Sequence, residues 1–349
     1  MIDVSAVGRW FRSRYDRDRA GPTDLDGQAS AEAVRWTYRA ILGREPESRA
    51  VIDEKIAAGL TIRELREVLL ASDELRSTTA GMFSLPMSGH EPPMYIEGLP
   101  AGVGADLEPL FARVRDTWQL FGEFEPHWSV WSDDRFKAAT YSDHSDEFDA
   151  SGKVHLNLLQ RTLERSAVSW ADLETCLELG CGVGRMTRWL ARTFDRVVAL
   201  DVSASHLEIA RNVLARDGIT NVELQRLTAP ESFVSLPEAD LVYSVVVLQH
   251  NPPPLIDLMV QGLLRALKPG GIACFQVPTY RLGYRFSVSD YLATVPSRED
   301  LEMHVLPQQR VLEIAQGQAC DVLEVLDDGW TYPRKGERSN TFVIRRPPG

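Results

Sequence analysis

CLELGCGVGRMTRWLA, residues 176–191, passes from a short apolar strand into a turn with glycine at 180, 182 and 184, then into an amphipathic helix bearing Met186, Trp189 and Leu190. Strand, glycine turn and helix start together make a cradle for a nucleotide-type ligand, because a residue without a Cβ lets the backbone come close to what it binds. The spacing restricts the ligand. A dinucleotide fingerprint GxGxxG needs glycine at 185, and Arg185 stands there. An acid, Glu178, occupies the strand end ahead of the first glycine.

The residues that follow keep to one plan. RVVALD (196–201) is a second buried strand ending in Asp201. A doubly wound fold places there, about twenty residues after the first glycine, the carboxylate that accepts hydrogen bonds from ribose hydroxyls. SASHLEIARNVLARDG predicts a helix capped by Ser203, with Leu207, Ala210 and Leu214 on one face. NVELQRLTA (221–229) and the Val-rich ADLVYSVVVLQHN (239–251) read as the third and fourth strands. A helix stopped at Pro269, the strand GIACFQVP, the helix VLEIAQGQA and the strands CDVLEVLDD and NTFVIRRP complete the pattern.

The strand-E-x-G-x-G-x-G motif, Asp201, ADLVYS…LQH and the LKPGG turn, in this order over roughly residues 150–349, resemble the class I S-adenosylmethionine (SAM) methyltransferases. The resemblance implies an α/β, Rossmann-like, seven-stranded sheet whose last strand is antiparallel. It also implies SAM as cofactor, bound by Glu178, Gly180, Cys181, Gly182, Gly184, Asp201 and Val202, with Ser244, Val246 and Leu248 lining the methionine end. The acid that often follows the third strand in this family is replaced by Leu227, Thr228 and Ala229, which leaves Thr228 and backbone groups to read the adenine.

Composition sets further bounds. The 349 residues have room for about two domains. The net charge of −12 disfavours nucleic acid as a partner, and no apolar run approaches the length of a membrane span. The N-terminus has no apolar signal core, and the four cysteines, at 176, 181, 274 and 320, have no paired or metal-type spacing, as expected of free thiols in a cytoplasmic protein. Five arginines in 9–19 are interleaved with Trp10, Phe11 and Tyr15 and read as a docking helix or tail.

Residues 1–80 predict a small all-α domain, with helices at 31–42, 47–58 and 61–70 and Asp73 starting a fourth. Thr61 and Glu64 have capping-box spacing. Tyr38, Leu42, Gly43, Arg44, Pro46, Gly59 and Ser72 give this stretch a resemblance to phycobilisome-linker-like domains, which implies docking of a protein or polymer partner. Residues 81–150 read as linker and cap, with a helix around Leu110, Val114 and Trp118, and 151–349 as the catalytic domain opened by a helix at 152–166. An aromatic insertion, 279–307, carries Tyr280, Tyr284, Phe286 and Tyr291 where an acceptor pocket would lie.

Methyl transfer to a hydroxyl needs a base, for which histidine is suited near neutral pH. His250, at the mouth of the fourth strand, and His304, in the insertion, are the candidates; His127, His144 and His155 read as surface or lid residues. No His/Asp/Glu spacing calls for a metal. The expected reaction is O-methylation of a sugar, glycan or related small molecule. N-methylation of a small amine and a non-catalytic SAM-binding scaffold are the competing readings.

Overall fold

The computed structural model describes residues 25–42, 44–70, 72, 74, 92–100, 106–295, 301–330 and 336–348. The arginine-rich 9–19 segment, Gly43 and Asp73 lie outside them. The chain forms two compact units, Met1–Leu85 and Pro86–Gly349.

In the first unit, α1 (Ala31–Leu42), α2 (Arg49–Ala57) and α3 (Ile62–Leu70) close around Val34, Tyr38, Ile52 and Leu65. Gly59, at φ +65°, turns the chain out of α2. The capping box forms: Thr61 N–H donates to Glu64 Oε2 at 2.8 Å and Glu64 N–H to Thr61 Oγ1 at 3.2 Å.

The second unit holds a seven-stranded sheet of β2 (Thr175–Leu179), β3 (Arg196–Asp201), β4 (Val222–Arg226), β5 (Ala239–Ser244), β6 (Leu267–Arg281), β8 (Asp321–Asp327) and β9 (Glu337–Arg345), in the order β4-β3-β2-β5-β6-β9-β8. β9 is antiparallel to both neighbours and the other pairs are parallel. The chain builds one way from β2 to β4, then restarts beside β2 with β5. The order therefore reverses between β2 and β5, and the crevice at such a reversal is where open α/β sheets bind ligands.

Strand alternation explains the two apolar layers. Leu177, Leu179, Val198 and Leu200 face a core shared with α4 (Glu108–Phe124), α9 (Pro253–Arg265) and α11 (Gln308–Gly317). Cys176, Val197 and Ala199 face the other layer, shared with α6 (Tyr141–Arg165).

Some boundaries differ from the sequence reading. α6 begins eleven residues before the expected position 152 (141 against 152), because Phe148 anchors its first turns on Phe136 and Tyr141. β4 ends at Arg226 and β5 at Ser244, so 227–229 are loop and 245–251 hold a bend and a short 3₁₀ helix, Leu248–His250. The Lys-Pro-Gly-Gly stretch lies inside β6, at a register shift with β5. Residues read as linker also pair: β1 (Tyr95–Ile96) runs parallel to β7 (Arg285–Phe286) of the insertion.

That pairing yields a prediction. Met94, Ile96 and Leu99 pack on the main core, and Glu97 Oε2 accepts from Val288 N–H at 2.8 Å. A chain begun at Pro86 should fold and bind ligand as the full protein does. One begun at residue 106 loses these contacts and should be less stable by about 1–3 kcal/mol in denaturant titration. Equal stability of the two would remove β1 from the fold's support.

Candidate active site

The cleft at the sheet reversal is lined by Glu178, Gly180, Cys181, Gly182, Asp201, Val202 and Val246 from the expected set. Local geometry explains the glycines. Gly180 and Gly182 have φ of +78° and +52°, and a Cβ on either would meet Val247 at 2.3 Å or Val130 at 2.6 Å. Only glycine adopts this backbone without strain in that space. Asp201 fixes the turn: its Oδ2 accepts from Gly182 N–H and its Oδ1 from Ser203 N–H, both at 2.8 Å.

Glu178 is 3% exposed. It accepts from Thr187 Oγ1 at 2.6 Å, and burial pushes its carboxyl up to about 7. Val246 is a β-branched residue at φ +61°, a sparsely populated backbone held because its N–H donates to Gln276 Oε1 at 2.9 Å. Gln276 is in turn tied to Gln249 Oε1 and Ser339 Oγ.

Other expected residues take different places. Gly184, at φ +82°, faces Ala210, so its missing side chain serves close packing of the turn on α8 (Ala204–Arg216). Ser244 Oγ is buried and donates to Leu179 O at 3.2 Å, joining two strand ends. Leu248 is a core residue, and Thr228 is exposed beyond the end of β4. The cleft wall nearest β4 is instead apolar, made by Leu227, Phe233, Val114 and Met259.

Neither candidate base lines the cleft, yet the two come together. His304 N–H donates to Gln249 O at 2.7 Å, and His250 Nδ1 lies 2.9 Å from Glu302 O. His250 is held at both ring nitrogens, its Nε2 being 3.3 Å from the Gln249 amide, and packs edge-on to Trp118 of the cleft wall at 5.4 Å. His304 meets the Tyr284 hydroxyl through Nδ1 at 2.7 Å, while its buried Nε2 has no partner. Burial pushes both imidazoles down to about 4.

Tyr284, Phe286 and Tyr291 surround His304 at ring-centroid distances of 6.3, 5.7 and 5.4 Å. Each of the three is buried, so they wall the imidazole. Arg113 of α4 straps the insertion down, donating to both Glu302 carboxylate oxygens at 2.7 Å and lying over the Tyr291 ring.

The sequence reading missed part of the lining. His155, expected as a surface or lid residue, is buried in the lining of the cleft, and Arg185 of the glycine turn lies against it. Arg185 was visible in the motif, but only tertiary packing reveals that it points inward.

Residues 176–271 match a methyltransferase domain. The trans-aconitate 2-methyltransferase of Azoarcus sp. (strain BH72) is 35% identical over 109 residues, 31% of this chain and 40% of that protein. The ubiquinone biosynthesis O-methyltransferase of Pseudomonas fluorescens (strain Pf0-1) is 30% identical over 115 residues, 31% of this chain and 48% of that protein. The chain thus spans less than half the length of these two relatives. The magnesium protoporphyrin IX methyltransferase from Synechocystis PCC 6803, solved with bound S-adenosylhomocysteine (SAH), aligns over 68% of this chain and 99% of its own at 17% identity, with a TM-score of 0.46. The stretch that matches a methyltransferase domain runs from β2 into β6 of the α/β sheet. Among the described residues no helix is long and apolar enough to cross a membrane.

Proposed function

We propose that this protein transfers the methyl group of SAM to a hydroxyl of a small-molecule acceptor, a sugar, a glycan intermediate or a related compound. The observation that carries the cofactor assignment is the Asp201 carboxylate bonded to the Gly182 amide at the strand reversal, in a turn whose missing Cβ atoms at 180 and 182 let it close against Val247 and Val130 in the lining of the cleft. Glu178, Gly180, Gly182, Asp201 and Val202 hold the cofactor, and the apolar wall around Leu227 and Phe233 takes its base. Bound SAM supplies an activated methyl group on a sulfonium, so the protein's contribution is mainly positioning.

The proposed base is His304. With Nδ1–H donating to the Tyr284 oxygen, Nε2 carries the lone pair that accepts the hydroxyl proton once Phe286 and Tyr291, which enclose it together with Tyr284, give way to the acceptor. His250 positions the 302–304 segment through Glu302 O. The N-terminal helical unit is proposed to dock a protein or polymer.

Calorimetry tests the cofactor. SAH should bind in the micromolar range, about −8 kcal/mol, and NAD should not bind. Asp201→Ala should weaken SAH by about 1.5–3 kcal/mol through loss of charge-assisted hydrogen bonds. Tight NAD binding with no response to SAH would overturn the proposal.

A further inference from the structure

Gln276 stands in the middle of β6 between Phe275 and Val277, two residues of the apolar core, and is 0% exposed. A primary amide taken from water is costly unless its donors and acceptor find partners. This one finds them. Oε1 accepts from Val246 N–H at 2.9 Å, and Nε2 donates to Gln249 Oε1 at 3.0 Å and to Ser339 Oγ of β9 at 2.7 Å. The Gln249 Nε2 in turn meets His250 Nε2 at 3.3 Å, and His250 Nδ1 lies 2.9 Å from Glu302 O. Gln249, His250 and Ser339 are buried as well. Of the residues in this chain of hydrogen bonds, only Val246 lines the cleft.

The two ends of the chain fix its direction. A backbone N–H only donates, so the Gln276 atom facing Val246 is the oxygen and the nitrogen faces Gln249. Gln249 therefore presents Oε1 to Gln276 and its own N–H to His250. A backbone carbonyl only accepts, so His250 carries its proton on Nδ1, toward Glu302 O, and leaves Nε2 as the acceptor for Gln249. Fixed from either end, the assignment is the same: each group donates onward, from the cleft wall to the insertion. A second proton on His250 would set N–H against N–H at Gln249, and turning that amide over would repeat the conflict at Gln276. Gln249 also reaches the insertion by its backbone, accepting from His304 N–H at 2.7 Å.

We propose that Gln276 is a positioning residue for the acceptor side: its amide, oriented by Val246, sets Gln249 and through it holds His250 in the Nδ1–H tautomer that grips the 302–304 segment, so that a ligand resting on Val246 steadies the backbone of His304. The proposal rests on the SAM and base assignments above and joins the two sites. Val246 is where a ligand acts. Its φ of +61° is a costly backbone for a β-branched residue, held by the hydrogen bond to Gln276. Contact from the cleft restricts Val246 further, and each partner along the chain is restricted with it. His304 then keeps a fixed backbone while its Nε2 remains the unpartnered nitrogen.

Nitrogen NMR of isotope-labelled imidazoles tests it, with the His250 signals assigned by their loss in His250→Ala. In the ligand-free wild type, Nδ1 should carry the proton and Nε2 the lone pair. Gln276→Met keeps the length of the side chain and removes both hydrogen-bonding groups. It should turn His250 into a mixture of tautomers and speed exchange of the His304 amide about 10- to 100-fold, while the amides of β2 and β3 keep their protection. Ser339→Ala removes the other partner of the same Gln276 nitrogen and should leave the tautomer as it is. Saturating SAH should slow His304 exchange in the wild type and not in Gln276→Met. An Nε2–H tautomer in the wild type overturns the proposal. So does a Ser339→Ala variant that disturbs His250 as much as Gln276→Met does, since the glutamine would then act through packing alone. If Gln276→Met does not fold, the wild-type tautomer and its response to SAH decide. SAH that binds and leaves His304 exchange unchanged overturns the proposal with the cofactor assignment intact. SAH that does not bind defeats that assignment, and the tautomer in the free protein and the two variants still decide the positioning role. None of these readouts involves turnover, so the base assignment stands or falls separately.

Discussion

His304→Ala should lower turnover by about 10²–10⁴-fold while leaving SAH affinity nearly intact. The ring lies outside the cofactor cleft, its Nε2 is the unpartnered nitrogen, and Tyr284 fixes its orientation. The pH profile separates a base from a wall residue. An imidazole with the ordinary pKa of about 6.5 would give a limb near neutrality. Burial moves His304 to about 4, so kcat/KM should fall only as the pH drops through that region and stay level from pH 6 to 8. His250→Ala should behave differently, loosening the 302–304 segment and lowering stability along with rate, because both its nitrogens are engaged in holding it. A His304→Ala enzyme with full activity on its acceptor would assign the proton to water or to another group.

Glu178→Gln should raise the stability of the ligand-free protein by up to about 3 kcal/mol at pH 8 and leave it little changed at pH 4. Burial raises the folded-state pKa of Glu178 from 4.5 to about 7. Between those values the folded protein holds a proton that the unfolded chain has lost. Stability therefore falls as pH rises from about 4.5 to 7 and levels off above. Removing the carboxylate removes that slope. Denaturant titrations of both proteins from pH 4 to 8 measure it, and parallel stability curves would mean that Glu178 is ionised at no cost.

The two predictions rest on different layers of information. The strand, glycine turn and helix start around 175–190, the Asp201 strand end, the Ser203 cap and the Thr61–Glu64 capping box were legible because each is local. Side-chain period, a missing Cβ or a hydrogen bond three residues away decides them. The sheet with its antiparallel last strand was implied by the family resemblance that the succession of such elements carries.

What the local signals left open depends on contacts between distant residues. Leu248 and Ser244 fall in the span that the motif assigns to the ligand, yet packing turns one into the core and the other toward Leu179. Arg113 reaches Glu302 across 189 residues, and Arg185 reaches His155 across 30. Burial is the common physical reason. It sets whether an imidazole titrates near 4 or near neutrality, whether a glutamate at a strand end is charged, and whether an arginine has an anion beside it. None of these is a property of the residue or its spacing. The sequence by itself determined the order of the elements and the glycine cradle, and the tertiary structure decided which polar groups are left in that cradle without water or partner.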